Sequence, residues 1–398
     1  MRRSRPVLFP ALPRRRPFLA AALLAAVPLV LSVPRAALAQ APAQGVQRPP
    51  FYLGADISFL ASPMRRPGMP ARVYRDANGK PSDELTVLMH HGWNAFRLRV
   101  FVSPVRQAPD NSLQNTIPLA RKIKRAGALF LLDFHYSDTW ADPQHQEIPV
   151  AWRHLSFPAL ERRVETYSRN TIRALKRAGA MPDWVQVGNE ITRGTLWPLG
   201  QVEEPGDTSY LPPQPYDSTL QWARLTGLLK AAIRGVMEGA GNTPPRIAIH
   251  IDRGGDWPKT RWFFDHLEAA HVPFDIIAES YYPEWEHGTL EQLWRNMDSC
   301  EAVFHKPFLV AETGYGPSHF KNNPDMLWPE TQQGRLQFMV DLINTVKAAP
   351  NGLGVMYWAP EFGVWNRDGT PGPTVFVLDS LQALRTGPGS HLPPEVAR

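Results

Sequence analysis

Two glutamates in this sequence stand where a carboxylate is costly without a task. Glu190 ends the run Val187-Gly188-Asn189-Glu190 and Glu312 ends Leu309-Val310-Ala311-Glu312, each closing an apolar stretch of strand type. A charge taken out of water there needs a partner or a function. One reading is structural: a strand-end glutamate held by Arg97 or a nearby lysine. The other is chemical. Two carboxyls flanking a glycosidic bond are the minimum equipment for its hydrolysis, one protonating the leaving oxygen and the other attacking the sugar carbon or activating water. A single glutamate leaves the two readings level; a pair on one scaffold favours the chemical one.

Other polar residues follow the same placement. Asp56, Arg97, Arg99, Asp133, His135, Asn189, Asp252, Glu279, Tyr281, Tyr282 and Trp358 all lie in or just after the second half of an apolar run. Asp56 and His135 read as binding or supporting residues, with a buried, satisfied histidine the equal alternative for His135. Trp140, Trp152, Trp197, Trp285 and Trp358 fall in the loops or strand ends; a flat ring suits the C–H face of a pyranose, though core packing is as good an explanation for any one of them. His90-His91, before Gly92, read as a helix end. The absence of H-E-x-x-H, clustered cysteine and calcium-loop spacing implies that no catalytic metal or other cofactor is required.

The elements that must position these residues are countable. Strand candidates are 51–58, 94–101, 128–135, 184–190, 246–252, 274–282, 307–313 and 354–358, and helical periodicity occupies 113–125, 158–177, 218–238, 290–304 and 331–348 between them. Near-continuous apolar strands separated by helices imply a parallel sheet covered on its outer face. Eight such units imply an α/β fold of the (β/α)8 TIM barrel type, whose chemistry gathers at the C-terminal ends of the strands. The rival, an open doubly wound sheet, lacks support because Gly54-Ala55-Asp56-Ile57-Ser58 carries no glycine-rich phosphate loop.

Taken in order, Gly54 to Ser58, Asn94 to Val100 (NAFRLRV), Asp133 to Pro143 (DFHYSDTWADP) with Gln146, Pro149 and Trp152, Val185 to Glu190 (VQVGNE) with Leu196-Trp197-Pro198, Ser280 to Pro283 (SYYP), Ala311 to Tyr315 (AETGY) and Tyr357-Trp358 resemble glycoside hydrolase family 53. These are the arabinogalactan endo-β-1,4-galactanases of a retaining barrel clan. The resemblance spans residues 51–365, and DFHYSDTWADP is its most specific part. It implies that Glu190 is the general acid/base and Glu312 the nucleophile, that Asn189 contacts the sugar 2-hydroxyl, and that Arg97 and one of Tyr281 and Tyr282 hold the nucleophile ionised. Alignment favours Arg97 over Arg99 and Tyr282 over Tyr281, and makes Trp358 the floor beneath the cleaved sugar, with Trp140 a further binding residue. Some members of that family hold a structural calcium ion, which nothing in this sequence places. Three positions depart from the family pattern: Phe101 for a tryptophan, Glu279 for a glycine and Ala359 for the glutamate of Tyr-Trp-Glu-Pro. All three are expected to line the cleft, with Glu279 near the mouth. A related barrel hydrolase cutting another β-linked polysaccharide, or a non-catalytic glycan-binding barrel, are the competing readings.

Composition bounds the rest. The chain has 398 residues, 43% apolar and 20% charged, enough for a large core and unlike a disordered chain. Its net charge of +6 is misleading, because residues 1–39 hold seven arginines and no acid, which leaves the remainder at −1. That balance excludes an electrostatic nucleic-acid binder. Residues 1–39 combine arginines, an apolar run from Leu19 to Val33 broken by Pro28, and a closing Ala37-Leu38-Ala39; this is the layout of a bacterial-type export signal rather than a membrane span. Arg15-Arg16-Pro17-Phe18-Leu19 also fits the twin-arginine pattern, so both export routes stay open. The expected organisation is a leader over 1–39, a linker over 40–50 and one catalytic domain over 51–398, working as a periplasmic or extracellular monomer on a β-linked polysaccharide. The lone Cys300 leaves stability to the core. Intact-mass or N-terminal analysis of the exported protein is expected to find Gln40 as its first residue; an N-terminus upstream of Ala37 would contradict the leader.

Overall fold

The computed structural model describes residues 50–61, 73–105, 111–204, 215–283, 288–316 and 327–381. The leader, the linker up to residue 49, Trp285 and the tail from residue 382 lie outside the described residues. In chain order the elements are β1 (Tyr52–Asp56), α1 (Glu84–His90), β2 (Ala95–Val100), α2 (Leu113–Arg125), β3 (Leu129–Phe134), α3 (Phe157–Arg177), β4 (Trp184–Val187), β5 (Gly194–Thr195), β6 (Gly200–Gln201), α4 (Thr219–Ala240), β7 (Arg246–Ile251), α5 (Trp257–Ala269), β8 (Ile276–Tyr281), α6 (Leu290–Phe304), β9 (Phe308–Thr313), α7 (Gln332–Ala348), β10 (Gly352–Trp358) and α8 (Val377–Ser380).

Eight strands close into a parallel barrel in the order β1-β10-β9-β8-β7-β4-β3-β2. All eight expected strand runs are present, and α2 and α6 keep the expected bounds. Outside the expected runs lie α1, of which the sequence marks only the end at His90-His91, the strands β5 and β6, α5 and α8. The antiparallel β5–β6 hairpin occupies the loop after β4, and α5 escapes a periodicity search because Trp257, Trp262, Phe263, Phe264 and Leu267 spread around it. Its start is nonetheless written locally: Asp256 caps Lys259 N–H, and Pro258 stands in the first turn.

Alternation along each strand divides the side chains between two environments. Leu53, Phe96, Leu132, Val185, Ile249, Ile277 and Val310 join the large cluster under the helices, while Ala95, Leu131, Trp184, Ala248, Ile276, Ala278, Leu309, Ala311, Leu353 and Met356 form a separate cluster inside the barrel. Past that plug the inward positions turn polar. Arg97 follows Ala95, Asp133 follows Leu131, Gln186 follows Trp184, His250 follows Ala248 and Ser280 follows Ala278, all buried.

One strand breaks the rule. On the register with β8, Glu279 pairs with Val310 and Ser280 with Glu312, so Ala311 is an extra residue in β9. Plain alternation from Leu309 would send Glu312 outward with Val310. The bulge turns it inward instead.

Crowding at the plug leaves no room at Gly54 of β1, where a Cβ would lie 2.2 Å from Met356 Sδ and 2.5 Å from the Ala95 carbonyl oxygen. The carbonyl is fixed by the sheet. Gly54→Ala is therefore expected to cost about 1–3 kcal/mol, seen as a lowered urea midpoint at unchanged slope.

Candidate active site

Arg97, fully buried on β2, is the hub of the barrel mouth. Its Nη1 donates to Glu312 Oε1 at 2.5 Å, and its Nη2 donates to Asp133 Oδ2 and to Asn189 Oδ1, each at 2.6 Å. Asp56 Oδ2 faces its Nε at 3.7 Å. Arg99, two residues on and also inward, serves a different group: it donates to Asp56 Oδ1 at 3.2 Å and to Asn111 Oδ1 at 3.1 Å. Its guanidinium also lies 4.4 Å from the ring centroids of Phe59 and of Trp140. Tyr282 donates its hydroxyl to Glu312 Oε2 at 3.2 Å, whereas Tyr281 points outward and donates to the Gly288 carbonyl.

Glu190 is carried by a turn. β4 stops at Val187, Gly188 takes φ 91° and Glu190 itself takes φ 49°, in the left-handed region that non-glycine residues rarely adopt. The turn brings its carboxyl over β8, where Ser280 Oγ lies 2.6 Å from Oε1. Since Ser280 is the register partner of Glu312, the two carboxyls share one cleft.

Beneath Glu190 lies a neutral network centred on His250, a residue outside every sequence motif. His250 Nε2 is 2.9 Å from Ser280 Oγ, and its Nδ1 is 3.0 Å from both Gln186 Nε2 and Asn189 Oδ1. Burial first, and then Arg97, hold the His250 imidazole well below its ordinary pKa, so it is neutral and free to use either tautomer. With Glu190 ionised, Ser280 donates to it and accepts from Nε2–H, while Gln186 donates to Nδ1. With Glu190 protonated, Ser280 accepts the carboxyl proton and donates to Nε2, and Nδ1–H donates to Asn189. A hydroxyl and a neutral imidazole each donate and accept, so the Ser280–His250 pair can reverse its roles as the proton on Glu190 comes and goes.

The carboxyls divide by environment. Burial pushes Glu190 well above the usual range, and the negative charges of Glu312 and Asp252 push it further. Burial also raises Glu312, but there Arg97 opposes the rise by charge and hydrogen bond. The proton of the pair therefore rests on Glu190 and the negative charge on Glu312. Asp133 is raised by burial, but Arg97 and then His135 overcome this and hold it well below its ordinary range. His135 accepts from Ala141 N–H at Nδ1, which leaves Nε2–H to face Asp133 Oδ2 at 3.0 Å.

Aromatic residues separate into two groups. Trp140 and Trp358 flank the mouth with centroids 6.3 Å apart. Trp152 packs on Tyr167 and Trp197 donates to the Arg193 carbonyl, both buried in the core. Phe101 lies fully buried edge-on beneath His135 and Trp140, and Ala359 is buried in a left-handed turn with its N–H on the Asp56 carbonyl. The expectation that Glu279 lies near the mouth is wrong. Alternation on β8 sends it outward, between Thr260 of α5 at 3.3 Å and Asn296 of α6 at 2.9 Å, where burial raises its pKa well above the usual carboxylate range. Gln186, His250 and Ser280 were missed; the available signal was a polar residue two places after an inward apolar one. Among the described residues no three His, Cys, Asp or Glu side chains converge to hold a metal ion, calcium included, and none of their helices is long and apolar enough to cross a membrane.

Folded protein holds a proton on Glu190 that the unfolded chain gives up above about pH 4.3, so this group's contribution to stability declines as pH rises. Glu190→Gln removes that decline. Its melting temperature is expected to exceed that of the native protein by a few degrees at pH 7 and to match it below about pH 4.3; a lower value across the range would refute the assignment.

Comparison with known proteins assigns the chain to a family. The model of glycosyl hydrolase family 53 matches residues 52–383. An uncharacterized protein of Niallia circulans is 38% identical over 362 residues, covering 85% of this chain and 94% of its own. The arabinogalactan endo-β-1,4-galactanase of Thermothelomyces thermophilus is 31% identical over 305 residues, covering 73% and 84%. A solved catalytic domain of the same family from Ignisphaera aggregans superposes with a TM-score of 0.72 at 29% identity, covering 84% of this chain and 98% of that one. With both carboxyls in one cleft and a family match across the barrel, the non-catalytic reading falls away: the chain is a glycoside hydrolase and belongs to glycosyl hydrolase family 53.

Proposed function

We propose that this protein is an exported, monomeric, retaining endo-β-1,4-galactanase that shortens the galactan chains of type I arabinogalactan in pectin. The observation that carries the mechanism is the asymmetry of the pair: Arg97 binds Glu312, while among the described residues the side-chain partner of the Glu190 carboxyl is the neutral Ser280 hydroxyl. Glu312, kept anionic, attacks the anomeric carbon. Glu190 gives its proton to the leaving oxygen, and a glycosyl-enzyme ester forms. Glu190, now ionised and receiving the Ser280 hydroxyl, takes a proton from water, which attacks the same carbon and releases Glu312. Two displacements return the original anomeric configuration.

Supporting residues follow from their contacts. Asn189 gives one amide proton to the Ala141 carbonyl and keeps the other for the sugar 2-hydroxyl. Tyr282 holds Glu312 on the side away from Arg97. Trp358 forms the floor for the sugar being attacked and Trp140 a wall beside it. Asp56 and His135 act at one remove, by fixing Arg99 and Asp133. Galactan as substrate is supported by the curated relative's activity. The changes at Phe101 and Ala359, both packed against this constellation, favour a second reading in which the same chemistry serves another β-linked polysaccharide.

Time-resolved anomeric NMR on β-1,4-galactan, run beside mannan, xylan and cellulose, tests substrate and stereochemistry together. The expected first product from galactan is the β-anomer; an α-anomer would overturn the nucleophile role of Glu312, and turnover of another polysaccharide alone would select the second reading. Glu190→Gln is expected to lower kcat by about 10²–10⁴-fold with KM for galactan little changed.

A further inference from the structure

Phe362 is exposed to 60%, and no other aromatic side chain is among the large exposed apolar residues described. It ends the 3-10 turn Pro360–Phe362 directly after β10. The turn is rigidly held: Ala359 N–H donates to the Asp56 carbonyl at 3.2 Å, Val364 N–H to the Pro360 carbonyl at 2.9 Å, and Arg335 Nη1 to the Gly363 carbonyl at 2.5 Å. A fixed backbone that presents a bare ring next to Trp358 at the barrel mouth is suited to binding.

The ring is also braced. Phe59 meets it edge-on at 5.0 Å and 84°, and Phe59 is itself backed by the Arg99 guanidinium at 4.4 Å. On its other side Phe362 lies 6.3 Å from Trp358 with only 30° between the planes. Trp358 and Phe362 thus make two successive steps of one gently turning platform. Its direction follows from the barrel order, in which β10 neighbours β9, the strand of Glu312, and stands diametrically across the ring from β4, the strand leading to Glu190. The leaving portion of the substrate lies toward Glu190. The platform therefore continues outward under the portion that becomes bonded to Glu312.

We propose that Phe362, braced by Phe59, is a sugar-stacking subsite one step beyond Trp358 on the glycone side of the cleaved bond, taking the apolar C–H face of a pyranose in the polysaccharide chain. It rests on the reading of Glu190 and Glu312 given above. Because stacking on an exposed ring contributes to binding alone, the effect falls on KM and only when the substrate is long enough to reach it.

The test compares native protein, Phe362→Ala and Phe362→Trp on β-1,4-galacto-oligosaccharides of increasing length and on galactan, with cleavage positions read by mass spectrometry after reducing-end labelling. In Phe362→Ala the loss in kcat/KM is expected to grow with chain length to roughly 3- to 10-fold, carried by KM, with cleavage shifting away from positions that fill the distal glycone site. Phe362→Trp is expected to recover it. A loss equal at every length, or none at any, overturns the subsite while leaving the galactanase standing. Native protein that cleaves no galactan overturns the substrate reading and the subsite with it. Equal melting temperatures for the three proteins show that the comparison reads binding rather than folding.

Discussion

The site is built around a cation taken fully out of water. A buried guanidinium is tolerable only if its donors are met by charge and by good geometry, and the planar fork of Arg97 meets that condition by reaching β3, β4 and β9 together. One side chain thereby fixes the distance between strands that bring Glu312, Asp133 and Asn189 to the mouth. Lysine, with a single charged atom, could not bind these groups in a plane. The same contact that makes Arg97 affordable keeps Glu312 ionised, so fold and chemistry share one interaction.

From this follows the division between the two glutamates. Glu312 is buried and Glu190 half-buried, and loss of water alone raises the pKa of both. Only the cation separates them. Glu190 receives a neutral partner, and Ser280 with His250 beneath it can reverse donor and acceptor roles as the charge of Glu190 changes. Asp252, whose carboxylate is held by the Thr192 hydroxyl, adds negative potential on the Glu190 side. In the proposed mechanism Glu190 gives and then takes a proton, a task better served by such a pair than by a fixed charge, which would favour one state throughout.

Glu279 shows the same physics without the chemistry. It too is a buried acid raised by desolvation, yet it sits among α5 and α6 with amide and hydroxyl partners and sees no cleft. A perturbed carboxyl is thus no mark of function by itself; access to substrate and an opposed partner are what distinguish Glu190 and Glu312.

The sequence by itself determined the barrel, because eight apolar runs divided by amphipathic helices can bury their surfaces in few other ways, and each run announced its functional end by turning polar. It also named both glutamates, Arg97 and Tyr282, through motifs long enough to be specific. What only the tertiary structure decided was direction and company. Counting by twos from Leu309 aims Glu312 at the helices; the extra residue at Ala311, visible only as a register shift against β8, aims it at the barrel mouth. Glu279, expected near the mouth as a departure from the family pattern, instead lies outside the barrel between α5 and α6, as unbroken alternation on β8 dictates. Gln186, His250 and Ser280 come from three strands and meet only when the sheet closes. Period-two alternation is a local property of a strand, whereas bulges, closure and the contacts they create depend on the neighbouring strand, and that information is spread over distant parts of the chain.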